Sequence, residues 1–519
     1  MQRKEITIAR GRQFRVEENG LLWGMAAIKL ALYILSGNLY AYQPQEYYAI
    51  SCSYHLDWGF AEFPPFSIFL LWLVRHTIGI SLFALHLLPA LAGVLTVYFT
   101  GKLVKDLGGS TFAVSLACSG MILTPLYLAQ NNVFSTLAFS VLFGVLAMVI
   151  LLQILESGQR IYWLLLGLVL GAAILTHYSA IPLILGIYLG LLLTPHREHY
   201  WYKETWFSLV LIFCFLFPHL VWQFDHHWPA LQTFGHHLFW RHSDITPITF
   251  IRTQLFSSHP VILLICLTGA IVLMADKSIR DYRIMFYIFI TGFILLFLTG
   301  VDDGRSMFVV YPFVLVPGTL YIEQKLVENS PMVWKPVIMF PLYIIGLAIL
   351  PLCLSVLPVR GLDSYLEKLN FYEIGLQRIY QHPYLDNYAG QLQTRSWITQ
   401  SAEYYRNIAG TNTVPLVLLS DNKYLAGAMD FYRRNFHQQV ISPDGSWWLW
   451  GPGAREGQSL FYVNDQAPTV YWYDLYQTVT PVDTLELNGP FGMDRSIYLY
   501  HLQDPKQKLP ESWDVLKKY

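Results

Sequence analysis

The chain has 519 residues, of which 54% are hydrophobic, 16% aromatic and only 13% charged, and its formal net charge is −1. The aromatic content excludes a disordered chain, and a soluble globular protein of this size would need a more charged surface. Because 34 basic residues are balanced by 35 acidic ones, bulk electrostatic attraction to nucleic acid is also excluded. The composition therefore predicts a polytopic membrane protein that does not bind nucleic acid.

Apolar runs of about 17–25 residues, long enough to cross a bilayer, recur along the chain. We predict about eleven transmembrane helices, so the expected fold class is mainly α. The fifth and sixth spans are short and separated only by His177 and Tyr178, so a single broken helix is an alternative there. The predicted spans cover residues 21–37, 82–100, 110–128, 134–155, 161–176, 179–194, 205–223, 257–275, 284–300, 307–322 and 336–356.

The distribution of Lys and Arg predicts the orientation, because cytoplasmic loops of membrane proteins carry an excess of both. With a cytoplasmic N-terminus, fifteen of these residues lie in inside segments and four in outside loops. An odd number of spans then places the C-terminus outside, and because residues 1–20 are polar we expect no cleavable signal peptide. The predicted domains are a transmembrane domain over 1–357, with outside loops at 38–81 and 224–256, and a soluble domain over 358–519.

The soluble tail is predicted to be a small α/β domain. Residues 414–420 form a continuous apolar run that is typical of a buried strand, and 460–463 and 497–501 favour further strands. Residues 425–434 carry small and aromatic residues on one face, which is typical of a helix.

The first outside loop holds carboxylates suited to acid–base chemistry. Pro44 suits a helix start, and residues 46–57 have helical periodicity. Glu46 and Asp57 would share a face of this helix but lie about 16 Å apart, so they cannot both touch one reacting atom. Glu46 is near the first span, whereas a surface or capping role is expected for Asp57. A second amphipathic helix is predicted from 64–65 to about Thr77.

The same loop resembles glycosyltransferase family 39, the group that includes protein O-mannosyltransferases and bacterial lipid A aminoarabinose transferases. The resemblance rests on motifs that follow one another in the family's order and together cover most of the chain. They are Glu-Tyr-Tyr at 46–48, His-Leu-Asp-Trp-Gly at 55–59, Pro-Pro at 64–65, Thr-His-Tyr-Ser at 176–179 after a glycine-containing span, Val-Trp-Gln-Phe-Asp-His-His-Trp-Pro at 221–229, and tail segments at 418–432 and 447–451.

The resemblance implies a GT-C fold and an enzyme of the bacterial inner membrane, with its tail domain in the periplasm. Such enzymes move a sugar from a polyprenyl-phosphate donor to an acceptor hydroxyl. In the family a carboxylate pair follows the first span, and its Asp is the general base. Here the pair is Gln45–Glu46, and an amide cannot take up a proton. We therefore predict Glu46 as the general base and Gln45 as a residue that orients substrate.

Cations in outside loops are candidate ligands of the lipid phosphate, because charge-assisted hydrogen bonds hold phosphate well. Arg305 lies in a tight outside turn where the resemblance implies basic residues, and Arg241 lies in the second outside loop. His226 is part of a histidine cluster in that loop. Asp57 and Glu62 complete the predicted substrate-binding set, although Glu62 stands where the family has Asp.

No cofactor is predicted outright. A divalent ion held by His236, His242 and Glu62 stays open, although the spacing matches no standard ligand set. The expected partners are a polyprenyl-phosphate sugar, membrane lipids and a lipid or glycan acceptor. Two other functions are considered: a catalytically inactive binder of polyprenyl-phosphate sugars, suggested by Gln45, and a transporter, against which stands the lack of repeated halves in the sequence.

Overall fold

The structure is a computed structural model that describes residues 19–36, 40–237, 246–300, 302–369, 386–411, 416–433, 436, 438–453, 459–488 and 494–518. The chain forms two compact units. The first unit consists of Met1–Gly37, Phe63–Ser67 and Phe83–Val356, and the second of Asn38–Glu62, Ile68–Leu82 and Leu357–Tyr519. The first outside loop of the sequence analysis is therefore shared between them, and most of it belongs to the second.

The protein is mainly helical, as predicted. Up to Cys353 the α-helices are Gly20–Ser36, Pro44–Tyr54, Phe66–Thr77, Leu82–Asp106, Thr111–Leu123, Pro125–Gln130, Thr136–Ser157, Ile161–Ile174, Ala180–Leu193, Lys203–Asp225, Pro229–His237, Pro247–Ser257, Pro260–Ala275, Ile284–Thr299, Pro312–Ile322 and Pro331–Cys353. Beyond Cys353 the described residues form the α-helices Val359–Lys368, Asp386–Thr411, Lys423–Phe431, Ser446–Trp450, Val470–Leu475 and Leu509–Ser512.

Each of the eleven predicted spans coincides with apolar helical structure. Within the described residues, five helices are long and apolar enough to cross a membrane: Leu82–Asp106, Thr136–Ser157, Lys203–Asp225, Ile279–Thr299 and Pro331–Cys353. Two helix pairs, bent by 108° and 109°, raise the number to as many as seven. The protein is thus a membrane protein, and the span count of eleven and the orientation stay predictions.

Local chemistry sets several helix ends in the first unit. The side chains of Ser110 and Ser135 accept hydrogen bonds from the backbone N–H of the residue two positions on, at 3.1 and 3.2 Å, and so cap the two helices that follow. Gly158 and Gly300 end helices in the left-handed conformation, with φ of 64° and 60°. Glycine adopts that conformation without a Cβ penalty, so these turns are encoded locally.

The second unit contains a mixed sheet, which confirms a small C-terminal domain with sheet structure. In the described residues its strands are β1 (Leu416–Leu419), β2 (Val440–Ile441), β3 (Ser459–Asn464), β4 (Tyr476–Leu487) and β5 (Arg495–Pro505), in the order β2-β1-β3-β5-β4. Strands β2, β1 and β3 are parallel, whereas β5 pairs antiparallel with β3 and β4. Every residue of β1 and β3 is buried, as expected for central strands covered on both faces.

Two glycines permit close packing of the helices Pro260–Ala275 and Pro312–Ile322 in the first unit. A Cβ at Gly269 would overlap the carbonyl oxygen of Val314, and a Cβ at Gly318 would overlap the carbonyl oxygen of Ile265. Small residues at such interfaces let helix backbones approach in membranes. We therefore expect Gly269→Ala to destabilise the protein by about 1–3 kcal/mol, which a lower melting temperature in detergent would report.

Gly24→Ala is the matched control for Gly269→Ala. Gly24 also lies within an apolar helix, but a Cβ there would meet no heavy atom within 4 Å. Alanine also has the higher helix propensity, so this variant should melt at or slightly above the wild-type temperature. Equal melting temperatures for both variants would contradict the packing argument.

Candidate functional site

The predicted base, Glu46, lies at the start of the Pro44–Tyr54 helix. Its side chain is only 1% exposed, and its Oε2 accepts a hydrogen bond of 2.8 Å from the backbone N–H of Gln43. A glutamate at the third helical position that binds the N-cap backbone is half of a capping box. The carboxylate is therefore held by the backbone of its own helix.

Gln45 is placed differently from its neighbour. It is exposed, and it lines a cavity of about 410 Å³ within the second unit. The walls also include Gln393, Trp397, Asn422, Asp465 and Arg495 from the C-terminal segment. The structure thus gives the amide of the Gln45–Glu46 pair access to a polar cavity.

The Pro44–Tyr54 helix is shorter than predicted. It ends at Tyr54 and not at residue 57, and the Nη2 of Arg75 donates a hydrogen bond of 3.0 Å to the carbonyl of Ser53 in its last turn. The guanidinium also lies 4.0 Å from the centre of the Tyr54 ring. Because a carbonyl in the last turn of a helix lacks a partner within the helix, this contact stabilises the observed end. The shared helical face predicted for Glu46 and Asp57 is therefore wrong.

Asp57 follows this helix end and is exposed. Its Oδ1 accepts a hydrogen bond of 2.7 Å from the backbone N–H of the next residue, Trp58. This local bond is what a surface turn requires. The second amphipathic helix of the loop, in contrast, starts close to the predicted position and covers Phe66–Thr77.

Glu62 is part of a largely buried polar cluster that could not be predicted from the sequence. Its Oε2 accepts a hydrogen bond of 2.6 Å from the Tyr48 hydroxyl, and its Oε1 accepts one of 2.8 Å from the Lys423 ammonium group. Asp444 lies 3.5 Å from the same ammonium group. The backbone N–H of Ser446 donates to the Tyr48 hydroxyl at 2.9 Å. The cluster joins the first loop to the C-terminal segment inside the second unit.

Burial and charge together set the ionisation of this cluster. Burial disfavours the ammonium form of Lys423, but the negative charges of Glu62 and Asp444 outweigh it and raise its pKa. Burial raises the pKa of Asp444, and Lys423 opposes that shift. Burial also raises the pKa of Tyr48 well above its ordinary value. At neutral pH the cluster therefore holds a charged lysine and a neutral tyrosine that donates to Glu62.

The Pro44–Tyr54 helix packs closely on the helix Lys423–Phe431. A Cβ at Gly427 would lie 2.7 Å from the backbone nitrogen of Tyr48, so only glycine fits there without a shift. On the same side, the Ser51 hydroxyl donates a hydrogen bond of 2.8 Å to Asp430. The C-terminal segment therefore fixes the position of the helix that carries Gln45 and Glu46.

In the first unit, Arg305 lies in a structured turn between two apolar helices. Its Nε donates a hydrogen bond of 2.8 Å to Asp303. Asp302 accepts backbone hydrogen bonds from Gly304 and Ser306 at 2.7 and 3.2 Å, and Gly304 has a φ of 93°. The turn and the bond to Asp303 thus hold the Arg305 side chain in place. This side chain is 37% exposed, so part of it is accessible to a ligand.

His226 stacks on Trp222 with 4.3 Å between ring centres, and its Nδ1 lies 2.8 Å from the Trp222 carbonyl oxygen. About two turns before His226 lies a buried histidine, His219, whose Nε2 is 3.0 Å from the Tyr178 hydroxyl. Sequence reasoning missed His219, because a histidine inside an apolar span gives no sign of its partner 41 residues away.

Two further predictions concern residues that are not described. Arg241 and His242 lie outside the described residues, as does the side chain of His236. The metal site considered for His236, His242 and Glu62 is therefore untested. Within the part of the chain that the structure describes, no three His, Cys, Asp or Glu side chains group as metal ligands.

The sequence and the fold of the chain are both similar to those of known proteins. Residues 62–222 match the family model of dolichyl-phosphate-mannose-protein mannosyltransferases. The chain is similar to the crystal structure of ArnT from Cupriavidus metallidurans in the apo state, with a TM-score of 0.58 and 13% identity over 93% of this chain and 98% of that one. The structure of the same protein bound to undecaprenyl phosphate gives a TM-score of 0.55 with the same identity and coverage.

No curated protein matches the sequence. The likeness to ArnT nevertheless covers nearly the full length of both chains, so the predicted GT-C fold is confirmed. The predicted resemblance to glycosyltransferase family 39 and the aminoarabinose transferases is confirmed with it.

Proposed function

We propose that the protein is a membrane glycosyltransferase that uses a polyprenyl-phosphate sugar as donor. The acceptor is a hydroxyl group of an envelope molecule, namely lipid A, another glycolipid, a glycan or a protein. The observation that carries this proposal is the fold, which is shared over 93% of the chain with a protein whose structure holds undecaprenyl phosphate. The excess of Lys and Arg in the inside segments supports transfer on the periplasmic face of a bacterial inner membrane.

In the proposed reaction the acceptor oxygen attacks the anomeric carbon of the donor sugar. The bond from that carbon to the phosphate oxygen breaks, and the polyprenyl phosphate leaves with the electron pair. Glu46 takes the proton of the acceptor hydroxyl as general base, and Gln45 orients the substrate by hydrogen bonds. Arg305, Arg241 and His226 are proposed to hold the donor phosphate.

Asp57 and Glu62 fit a substrate-binding role less well than the other candidates. Asp57 accepts a local backbone bond in an exposed turn, and Glu62 is engaged by Tyr48 and Lys423. We infer that Glu62 acts on the reaction only by positioning the first loop.

A second candidate function is a protein that binds polyprenyl-phosphate sugars without transferring them. The observation that favours it is the replacement of the family's Asp by Gln45 together with the capping contact of Glu46. Both candidates share the donor site, so only a measurement of transfer separates them.

The test of the proposed function is mass spectrometry of envelope lipids and glycans from cells with and without the gene. A transferase should add a sugar-sized mass to one class of molecule, and that mass identifies a pentose, a hexose or an amino sugar. An unchanged envelope, together with binding of undecaprenyl phosphate by the purified protein, would favour the second candidate.

Arg305→Gln is expected to weaken use of the donor. Loss of a charge-assisted hydrogen bond to phosphate costs about 1.5–3 kcal/mol, so the donor KM should rise about 10- to 100-fold. Kinetics of the purified protein in detergent would measure this rise. Arg280→Gln, which removes an exposed arginine from a predicted inside segment, is the control and should leave the donor KM unchanged. An unchanged KM in Arg305→Gln would remove this arginine from the phosphate site.

A further inference from the structure

The cavity that Gln45 lines is large enough for a small ligand. Its volume of about 410 Å³ falls within the range of about 300–1,000 Å³ that is usual for ligand pockets. Its walls come from the start of the Pro44–Tyr54 helix, from the Asp386–Thr411 helix, and from the loops and strands around the sheet. All of these segments belong to the second unit.

Amide side chains provide much of the polar wall. Gln45 and Asn422 each carry both a donor and an acceptor, which is the combination that hydroxyl groups require. Two of the amides are held in place, since Asn422 donates to Asp465 at 3.0 Å and Gln393 donates to the carbonyl of Leu487 at 3.2 Å. Polar groups fixed in this way are ordered before a ligand arrives.

The aromatic and charged residues of the wall narrow the choice of ligand. Tyr424 is partly exposed and supplies ring surface on which the C–H face of a sugar can pack. Among the described lining residues, Arg495 is the cation and Asp465 the anion. The charges balance, so a phosphate gains little there, and the polar wall disfavours a prenyl chain.

We propose that this cavity binds a sugar ring of the acceptor, next to the hydroxyl group that receives the transferred sugar. The assignment rests on the proposed function. The acceptor hydroxyl must come within hydrogen-bond reach of the base, and Gln45 and Tyr47, the residues on either side of the buried Glu46, both line the cavity. A donor sugar carries a phosphate, which is bound best by an excess of positive charge. The described wall of this cavity has one cation and one anion, so it suits the donor less well than a neutral sugar ring.

Ligand binding and turnover test this proposal separately. Saturation-transfer-difference NMR is recorded on the full-length protein in nanodiscs with the methyl glycosides of a neutral hexose, a hexosamine and a uronic acid. We expect signals from at least one glycoside. Leu425→Trp, which puts a bulky side chain into the wall, and Arg495→Gln should each weaken its binding about tenfold or more. The control Val470→Trp changes an exposed residue outside the cavity and should bind as the wild type does.

Transfer kinetics then distinguish the two sources of a sugar ring. For an acceptor site, Leu425→Trp should raise the acceptor KM about tenfold and leave the donor KM unchanged. A rise in the donor KM alone would overturn the assignment and make the cavity a donor-sugar site. Absence of glycoside signals, or signals that both cavity variants leave intact, would also overturn it. A third outcome is that the protein binds glycosides, that the cavity variants remove this binding, and that no sugar is transferred to any acceptor. This outcome would refute the proposed function and the acceptor role, and the cavity would still be a sugar-binding site.

Discussion

Glu46→Gln should lower the transfer rate by about 10²–10⁴-fold, the usual contribution of a general base. The substitution removes the carboxylate that we propose takes the acceptor proton. It should not disturb the helix start, because glutamine at the third helical position completes a capping box as glutamate does. Sugar-sized mass addition to envelope molecules, together with single-turnover rates of the purified protein, would measure the loss.

Glu46→Gln distinguishes a general base from a residue that only caps its helix, because glutamine can keep the capping hydrogen bond but cannot take up a proton. If the carboxylate only caps the helix through Gln43, Glu46→Gln should keep full activity and the wild-type melting temperature. Loss of activity at an unchanged melting temperature supports the base. Asp57→Asn is the matched control, since it removes an exposed carboxylate of the same loop and should leave the rate unaltered.

Features encoded by neighbouring residues could be predicted from the sequence. Pro44 and Glu46 mark a helix start because fixed φ and capping act within one turn, and the helix does begin at Pro44. The apolar runs likewise predict helices, because in lipid a backbone has to satisfy its own hydrogen bonds. The tail helix begins at Lys423, two residues before the predicted start, because Asn422 accepts a hydrogen bond from the backbone N–H of Tyr424.

Features that depend on distant partners could not be predicted. Lys423 and Glu62 are separated by 361 residues, and neither side chain carries a local sign of the other. Strand β4 was also absent from the predicted elements, because Pro481 interrupts its run. The structure accommodates that proline because β4 is an edge strand of the sheet, with an irregular register between Pro481 and Asp483.

The Lys423–Glu62 pair leads to the second prediction. The two side chains are only 14% and 17% exposed, so removal of one partner leaves a charge in a largely dry site. Lys423→Met should therefore destabilise the protein by about 3–5 kcal/mol, measured by thermal or denaturant unfolding in detergent. Because the pKa of Lys423 is raised, its contribution is fully present below the ordinary lysine value of about 10.4 and is lost only as the pH rises through the folded-state pKa. The ammonium group of Lys423 stays charged from about pH 6 to pH 8, so its own titration should contribute no change to the difference between Lys423→Met and wild type over that range.

Two further variants test whether the loss of stability in Lys423→Met comes from the broken ion pair or from a general loss of packing. The double variant Lys423→Met with Glu62→Gln removes the charge of Glu62 and preserves an acceptor for Tyr48, so that Asp444 alone loses its ionic partner and the cost should be lower than for Lys423→Met. Arg280→Met changes an exposed arginine and should alter the free energy of unfolding by at most about 0.5 kcal/mol. A double variant as unstable as the sum of its single changes would mean that the two groups act independently. The first loop would then be held by the helix contact at Gly427 and not by this ion pair.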